Sequence, residues 1–140
     1  MWVRDIANVR YEKTFYKGWN SVCLPFAIDA KIFGSQDLQI AMVNDVDVVG
    51  NKRTVSYELV EQVGAGVACL IHVPEDMTFK IFLSNTNLVS EPDTKGPLVG
   101  TFTETVIGEG CYKLASDGQS FAQTKTASAV CKPFRAYIKK

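Results

Sequence analysis

The sequence predicts an all-β domain, an antiparallel two-sheet β-sandwich or partly closed barrel with at most one short helical turn. Three observations predict it. The chain has 16 Val, 8 Ile and 10 Thr against 8 Leu and 11 Ala, and β-branched side chains fit a pleated, half-buried surface while losing χ1 freedom in a helix. Several runs alternate apolar and polar residues with a period of two, which sends them to opposite faces of a strand. The 10 Gly and 5 Pro are scattered as turns and gather nowhere into a linker. That turn spacing predicts about 9–11 short strands. One domain over residues 1–140 is expected, large enough to bury about 68–70% of the surface its unfolded chain exposes without a covalent staple.

Element by element, Tyr11 to Ile28 is the first strong run, with Lys17-Gly18 as a turn signal. Within it Trp19 to Phe26 reads as a strand, with Val22, Leu24 and Phe26 on one face and Ser21, Cys23 and Pro25 on the other. Asp29 to Gly34 is the one candidate helical turn, Asp29 as N-cap and Gly34 as stop. Leu38 to Val49 gives one or two strands, and Gly50-Asn51-Lys52 is a hairpin turn into Thr54 to Val60. There Val55, Tyr57 and Leu59 alternate with Thr54, Ser56 and Glu58, the pattern of one buried and one wet face. Gly64-Ala65-Gly66 bends the chain into Val67 to Val73, so nearly continuous in apolar character that it predicts a central strand. Pro74-Glu75-Asp76 turns it back into Thr78 to Ser84, where Phe79, Ile81 and Leu83 oppose Thr78, Lys80 and Phe82. Ser90 to Pro97 is the most loop-like stretch. After it come Leu98 to Val106, Cys111 to Ala115, a turn at Ser116-Asp117-Gly118, a strand near Phe121 and a final strand from Ala127 to Ile138.

Charge narrows the function classes. Fifteen basic residues face fifteen acidic ones, and neither half of the chain carries an excess larger than one. A nucleic-acid binder draws its affinity from phosphate neutralisation and usually shows a basic excess, so nucleic acid is not an expected partner. With one His, acid–base chemistry would rest on carboxylates. No stretch of 18 apolar residues predicts a membrane-spanning helix, and Met1 to Phe15 lacks the apolar core of a signal peptide. An exported protein would therefore hold this chain as a mature or excised piece.

Cys23, Cys69, Cys111 and Cys131 lie 46, 42 and 20 residues apart, which leaves no Cys-x-x-Cys pair for zinc or redox chemistry. All four sit in apolar runs and are expected to be buried and reduced. Val22-Cys23-Leu24-Pro25-Phe26 echoes Val130-Cys131-Lys132-Pro133-Phe134. Were those strands neighbours in register, Cys23 and Cys131 would come within disulfide reach. Each Pro also removes a ladder donor and marks an edge, which discourages edge pairing and favours a monomer.

Arg10-Tyr11-Glu12-Lys13-Thr14-Phe15 followed by Trp19-Asn20-Ser21-Val22-Cys23-Leu24-Pro25-Phe26 resembles the R-x-F…W-N-T-x-C-L-P-F opening of an all-β module of secreted and surface proteins of Bacteroidetes. Ala65 to Ile71 resembles its central A-G-x-P-Y-L-I segment, with Ala68-Cys69 in place of Pro-Tyr. Gly100-Thr101-Phe102, Cys111 to Leu114 and Pro133-Phe134-Arg135-Ala136-Tyr137-Ile138 resemble its closing G-T-Y, Y-x-L and F-R-A-Y-F. The resemblance spans residues 10–138. It implies a β-sandwich-like accessory module, export, an extracellular or cell-surface location, and no catalytic residues.

The remaining constellations are weak. Cys69 and His72 are three apart, hence on opposite faces of a strand and poorly placed for a dyad. Asp45 and Asp47 share a face if extended, with Asn44 and Asn51 nearby, but the calcium-loop spacing is missing. Gly64-Ala65-Gly66 lacks the third glycine and the helix of a dinucleotide fingerprint. Trp19 is expected in the core. Arg135, between Phe134 and Ala136 and on one face with Tyr137, is expected to be covered and held in a structural ion pair.

The reading is a non-catalytic accessory or adhesion module, with no catalytic, cofactor-binding or metal-ligating residue assigned and no cofactor expected. Neighbouring domains of the same polypeptide and a cell-surface or host protein or glycan are the expected partners; direct membrane insertion is not. The alternative is a carbohydrate-binding domain using Trp2, Trp19, Tyr11, Tyr16, Tyr57, Tyr112 and Tyr137, whose rings pair apolar faces with polar tips. A carboxylate-only hydrolase would need two of Asp45, Asp47, Glu58, Glu61, Glu104 and Glu109 about 5–9.5 Å apart in a cleft.

Overall fold

The computed structural model describes residues 5–29, 31–33, 37–49, 52–94, 96–115 and 118–139, and no helix forms among them. The strands run as β1 (Asp5–Phe15), β2 (Gly18–Val22), β3 (Ile28–Asp29), β4 (Gln39–Val49) and β5 (Lys52–Val60). Next come β6 (Gln62–Val63), β7 (Cys69–Val73), β8 (Met77–Leu88), β9 (Leu98–Gly100) and β10 (Thr105–Val106). The last are β11 (Tyr112–Leu114), β12 (Phe121–Gln123), β13 (Val130–Cys131) and β14 (Ala136–Ile138). Every pairing is antiparallel and no sheet closes into a barrel, so the fold is an all-β sandwich. The strands outnumber the about 9–11 predicted from turn spacing because β3, β6, β10 and β13 are two-residue bridges.

Three layers share two cores. In the middle lies a four-stranded sheet of order β2-β7-β4-β5. On one side Val22, Ile40, Cys69, Ile71 and Val73 pack with Phe15, Phe79 and Ile81 of the β1-β8 ribbon. On the other, Ala41, Val43 and Leu70 meet Leu98, Ala136 and Ile138 of a second four-stranded sheet, order β12-β11-β14-β9. A strand buried on both faces has no use for alternation, which is why β7 reads as a continuous apolar run. Ile71 alone, fully buried, contributes about 1.5–3 kcal/mol over an exposed side chain.

The charged segment before Phe15 forms β1, a strand the opening residues conceal. Its outer face is satisfied by register partners on β8: Arg10 over the Phe82 ring at 5.5 Å, Glu12 with Lys80 at 3.4 Å, Thr14 with Thr78 at 2.8 Å. Its inner face carries Phe15, whose ring meets Phe33 and Phe79 with centroids 6.0 and 5.5 Å away.

Three departures from the sequence reading have local causes. β2 ends at Val22, short of Phe26, because Pro25 has no N–H for a ladder; the alternation outlasts the strand, with Leu24 and Phe26 in the first core and Cys23 in the second. At 31–33 there is a turn in which Asp29 Oδ1 accepts the Ile32 N–H at 3.0 Å, the capping bond without a helix. The run from Ala127 to Ile138 is split into β13 and β14, since Pro133 lacks a donor and Phe134 adopts φ 60°. Trp2, Ala30, Gly34, Gly50, Asn51, Ser116 and Asp117 lie outside the described residues, although Val49 and Lys52 pair across the predicted hairpin.

Candidate functional site

Two clefts adjoin between the layers. The first, about 360 Å³, opens between the middle sheet and the β11-β12 end of the far sheet. Trp19 stands on β2 opposite His72 of β7. Its ring is gripped edge-on by Tyr57 at 5.2 Å and by His72 at 5.0 Å. Leu70 and Ile138 continue the lining, and Tyr112 and Phe121 form the facing wall.

Local features build that cleft. A bulge between Val43 and Asp45 inserts Asn44, so Val43 and Val46, three residues apart, both join the second core. At the other end Gly18, φ 101°, and Gly118, φ 67°, meet backbone to backbone, and Trp19 N–H donates to Gly118 C=O at 2.8 Å. A Cβ on Gly18 would stand 2.8 Å from that carbonyl oxygen. This contact ties Trp19 to the turn that carries Gln119, Ser120 and Phe121.

The second cleft, about 510 Å³, lies between β1, β2, β11 and residues 131–136, and shares Trp19 and Leu114 with the first. Six basic residues, Arg10, Lys13, Lys17, Lys113, Lys132 and Arg135, line it. Lys13 is held below its ordinary pKa by burial and then by the Arg135 charge. Arg135 also acts against the burial that pushes the Tyr11 hydroxyl up to about 12. Lys113 Nζ donates to Val130 C=O at 2.8 Å. Neither Lys13 nor Arg135 forms an ion pair with a described residue; Glu12, the acid in the lining, is turned to Lys80, and Lys132 is paired with Glu104 at 2.9 Å.

One expectation is thereby corrected and another met in part. Arg135 is exposed, with no structural ion pair among the described residues, because the left-handed turn at Phe134 interrupts the alternation that would cover it. Trp19 is half-buried: it packs against the second core as expected, but it also lines a cleft and is not fully enclosed. The other rings divide: Tyr16 and Tyr57 are exposed, while Tyr11, Tyr112 and Tyr137 are half-buried.

The cysteines are buried and free as expected. Cys131 lies on β13, which pairs with β10, while Cys23 lies just past the end of β2, so their echo is not a register match, yet the two segments touch: Cys23 N–H donates to Phe134 C=O at 3.1 Å. Burial, then Asp93 and Cys131, push the Cys23 thiol up to about 11; burial, then Cys23, push Cys69 up to about 12. Cys69 joins the first core while His72 meets Trp19 on the opposite face, so they form no dyad.

Asp45 and Asp47 do come together at the surface, where Asp45 raises the Asp47 pKa by charge and by a hydrogen bond. No cluster of three potential metal ligands exists among the described residues. Asp45, Asp47, Glu58, Glu61, Glu104 and Glu109 are all exposed, and none lines either cleft. No helix among the described residues is long and apolar enough to cross a membrane. In comparisons with protein-family models, curated proteins and solved structures, nothing matches the chain.

Proposed function

We propose that the chain is a non-catalytic accessory module of a secreted or cell-surface protein that works by binding a saccharide in the aromatic cleft. The observation that carries this reading is the convergence of Trp19, Tyr57, Tyr112 and Phe121, from four different strands, on one open space of about 360 Å³. That volume suits a small ligand. Sugar rings present C–H faces that pack on aromatic side chains, and Tyr hydroxyls reach the polar rim. The edge-on grip of Tyr57 and His72 on the indole means little side-chain freedom is lost on binding. The hydrolase alternative lacks support because its candidate acids stand outside both clefts.

Calorimetric titration with a panel of neutral and charged oligosaccharides tests the reading. Binding that Trp19→Ala abolishes supports it. Binding that survives Trp19→Ala, or no binding across the panel, overturns it and leaves a spacer between neighbouring domains as the role.

A further inference from the structure

Six basic residues line the second cleft: Lys132 is paired with Glu104 and Arg10 lies over the Phe82 ring, while Lys13, Lys17, Lys113 and Arg135 have no carboxylate partner among the described residues. Like charges held together in a fold repel, and an isolated cation gains by meeting an anion. The acids of this region are already engaged: Glu12 faces Lys80 and Glu104 faces Lys132. An anion to complete the cleft therefore comes from outside.

Geometry limits what that anion is. Trp19 and Leu114 line both clefts, so the aromatic cleft and the cationic one adjoin at these two residues. A polyphosphate chain needs many neutralising contacts along its length, whereas here Lys132 and Arg10 are already engaged with Glu104 and the Phe82 ring, which leaves four cations in a chain of zero net charge. One or two negative groups match that count. Arg135, exposed at its cleft, offers the planar fork that receives a carboxylate or sulfate with two parallel bonds.

We infer that the ligand is an acidic saccharide: a sugar ring rests against Trp19 and its neighbours while a carboxylate or sulfate on that or the next ring is held by Lys13, Lys113 and Arg135. This rests on the saccharide reading above and narrows it to a charged class.

The test titrates the intact chain with tetragalacturonate, with its neutral methyl ester, and with a sulfated neutral tetrasaccharide. An acidic ligand is expected to bind about tenfold or more tightly than the ester, as charge-assisted hydrogen bonds are worth. Arg135→Gln, at an exposed position, and Lys13→Gln combined with Arg135→Gln should erase that preference, whereas Lys31→Gln, exposed and away from both clefts, should not. Preference for the carboxylate or the sulfate arm identifies the anion. Equal binding of acid and ester overturns the inference while the aromatic reading stands. Anion binding that ignores Trp19→Ala but not Arg135→Gln overturns both the saccharide and the shared cleft. A single-stranded oligonucleotide that outcompetes the acidic sugar also overturns it.

Discussion

Gly18 and Gly118, a hundred positions apart in the chain, touch through their backbones, and the Trp19 N–H to Gly118 C=O bond at 2.8 Å closes that contact. Both have positive φ, and each approaches the other's segment more closely than a side chain permits. Gly118→Ala adds a Cβ 2.9 Å from Lys17 C=O on a left-handed residue, which should cost about 1–3 kcal/mol. Gly96→Ala, where a Cβ meets only Leu98 C=O at an ordinary 3.9 Å, should stay within about 0.5 kcal/mol of the parent. Urea midpoints of the two variants check the difference.

Thiol chemistry gives a second outcome. The thiolate is the nucleophile; all four thiols are buried and out of reach, and burial holds Cys23, Cys69 and Cys131 further towards the protonated form. Native protein at neutral pH should react negligibly with dithiobis-nitrobenzoate, and all four thiols should titrate once urea unfolds it without reductant. A count of two would mean that one bridge had formed, and peptide mapping would say whether it is Cys23–Cys131.

Stability should fall in alkali. Unfolded thiols titrate near about 8.5 and tyrosine near about 10, while Cys23, Cys69 and Tyr11 are raised to about 11, 12 and 12 in the fold. Between those values the unfolded chain holds fewer protons than the folded one, so unfolding becomes easier as pH rises. The contribution is intact below about pH 8.5 and is lost as pH rises towards 11 and 12. Lys13, lowered in the fold, acts in the opposite sense, one group against five, since Cys131 and Tyr137 are raised as well. Urea unfolding at pH 7, 9 and 10.5 reads the slope.

Phe134 is a left-handed residue that is not glycine, and its ring meets Phe102 at 5.9 Å. Phe134→Gly and Phe134→Ala both lose that ring contact, but only glycine is at ease at this φ. The glycine variant should be the more stable of the two by about 1 kcal/mol, measured by thermal denaturation.

Much of this was legible residue by residue. The nearly unbroken apolar run at Val67–Val73 identified the central strand, whereas the alternation of Val55, Tyr57 and Leu59 did not mark a buried face: Tyr57 and Leu59 are 52% and 57% exposed on β5, the edge strand of its sheet. β1 was less visible because Arg10, Glu12 and Lys13 look like a polar segment until β8 supplies their partners. Arg135 was misplaced because alternation was counted through a residue whose φ reverses the chain, a property no side chain announces at Phe134. Neither cleft was legible. Each is lined by residues more than fifty positions apart, and the Asn44 bulge that keeps Val46 in phase has no sequence marker.

β7 belongs to both cores, so the ribbon on one side and the far sheet on the other hold a single strand between them. Detaching either layer exposes that strand to water on one face and removes half of what fixes it in place. The two cores should therefore melt in a single cooperative transition, and the amide of Ile71 should exchange its proton with solvent only when the whole molecule opens.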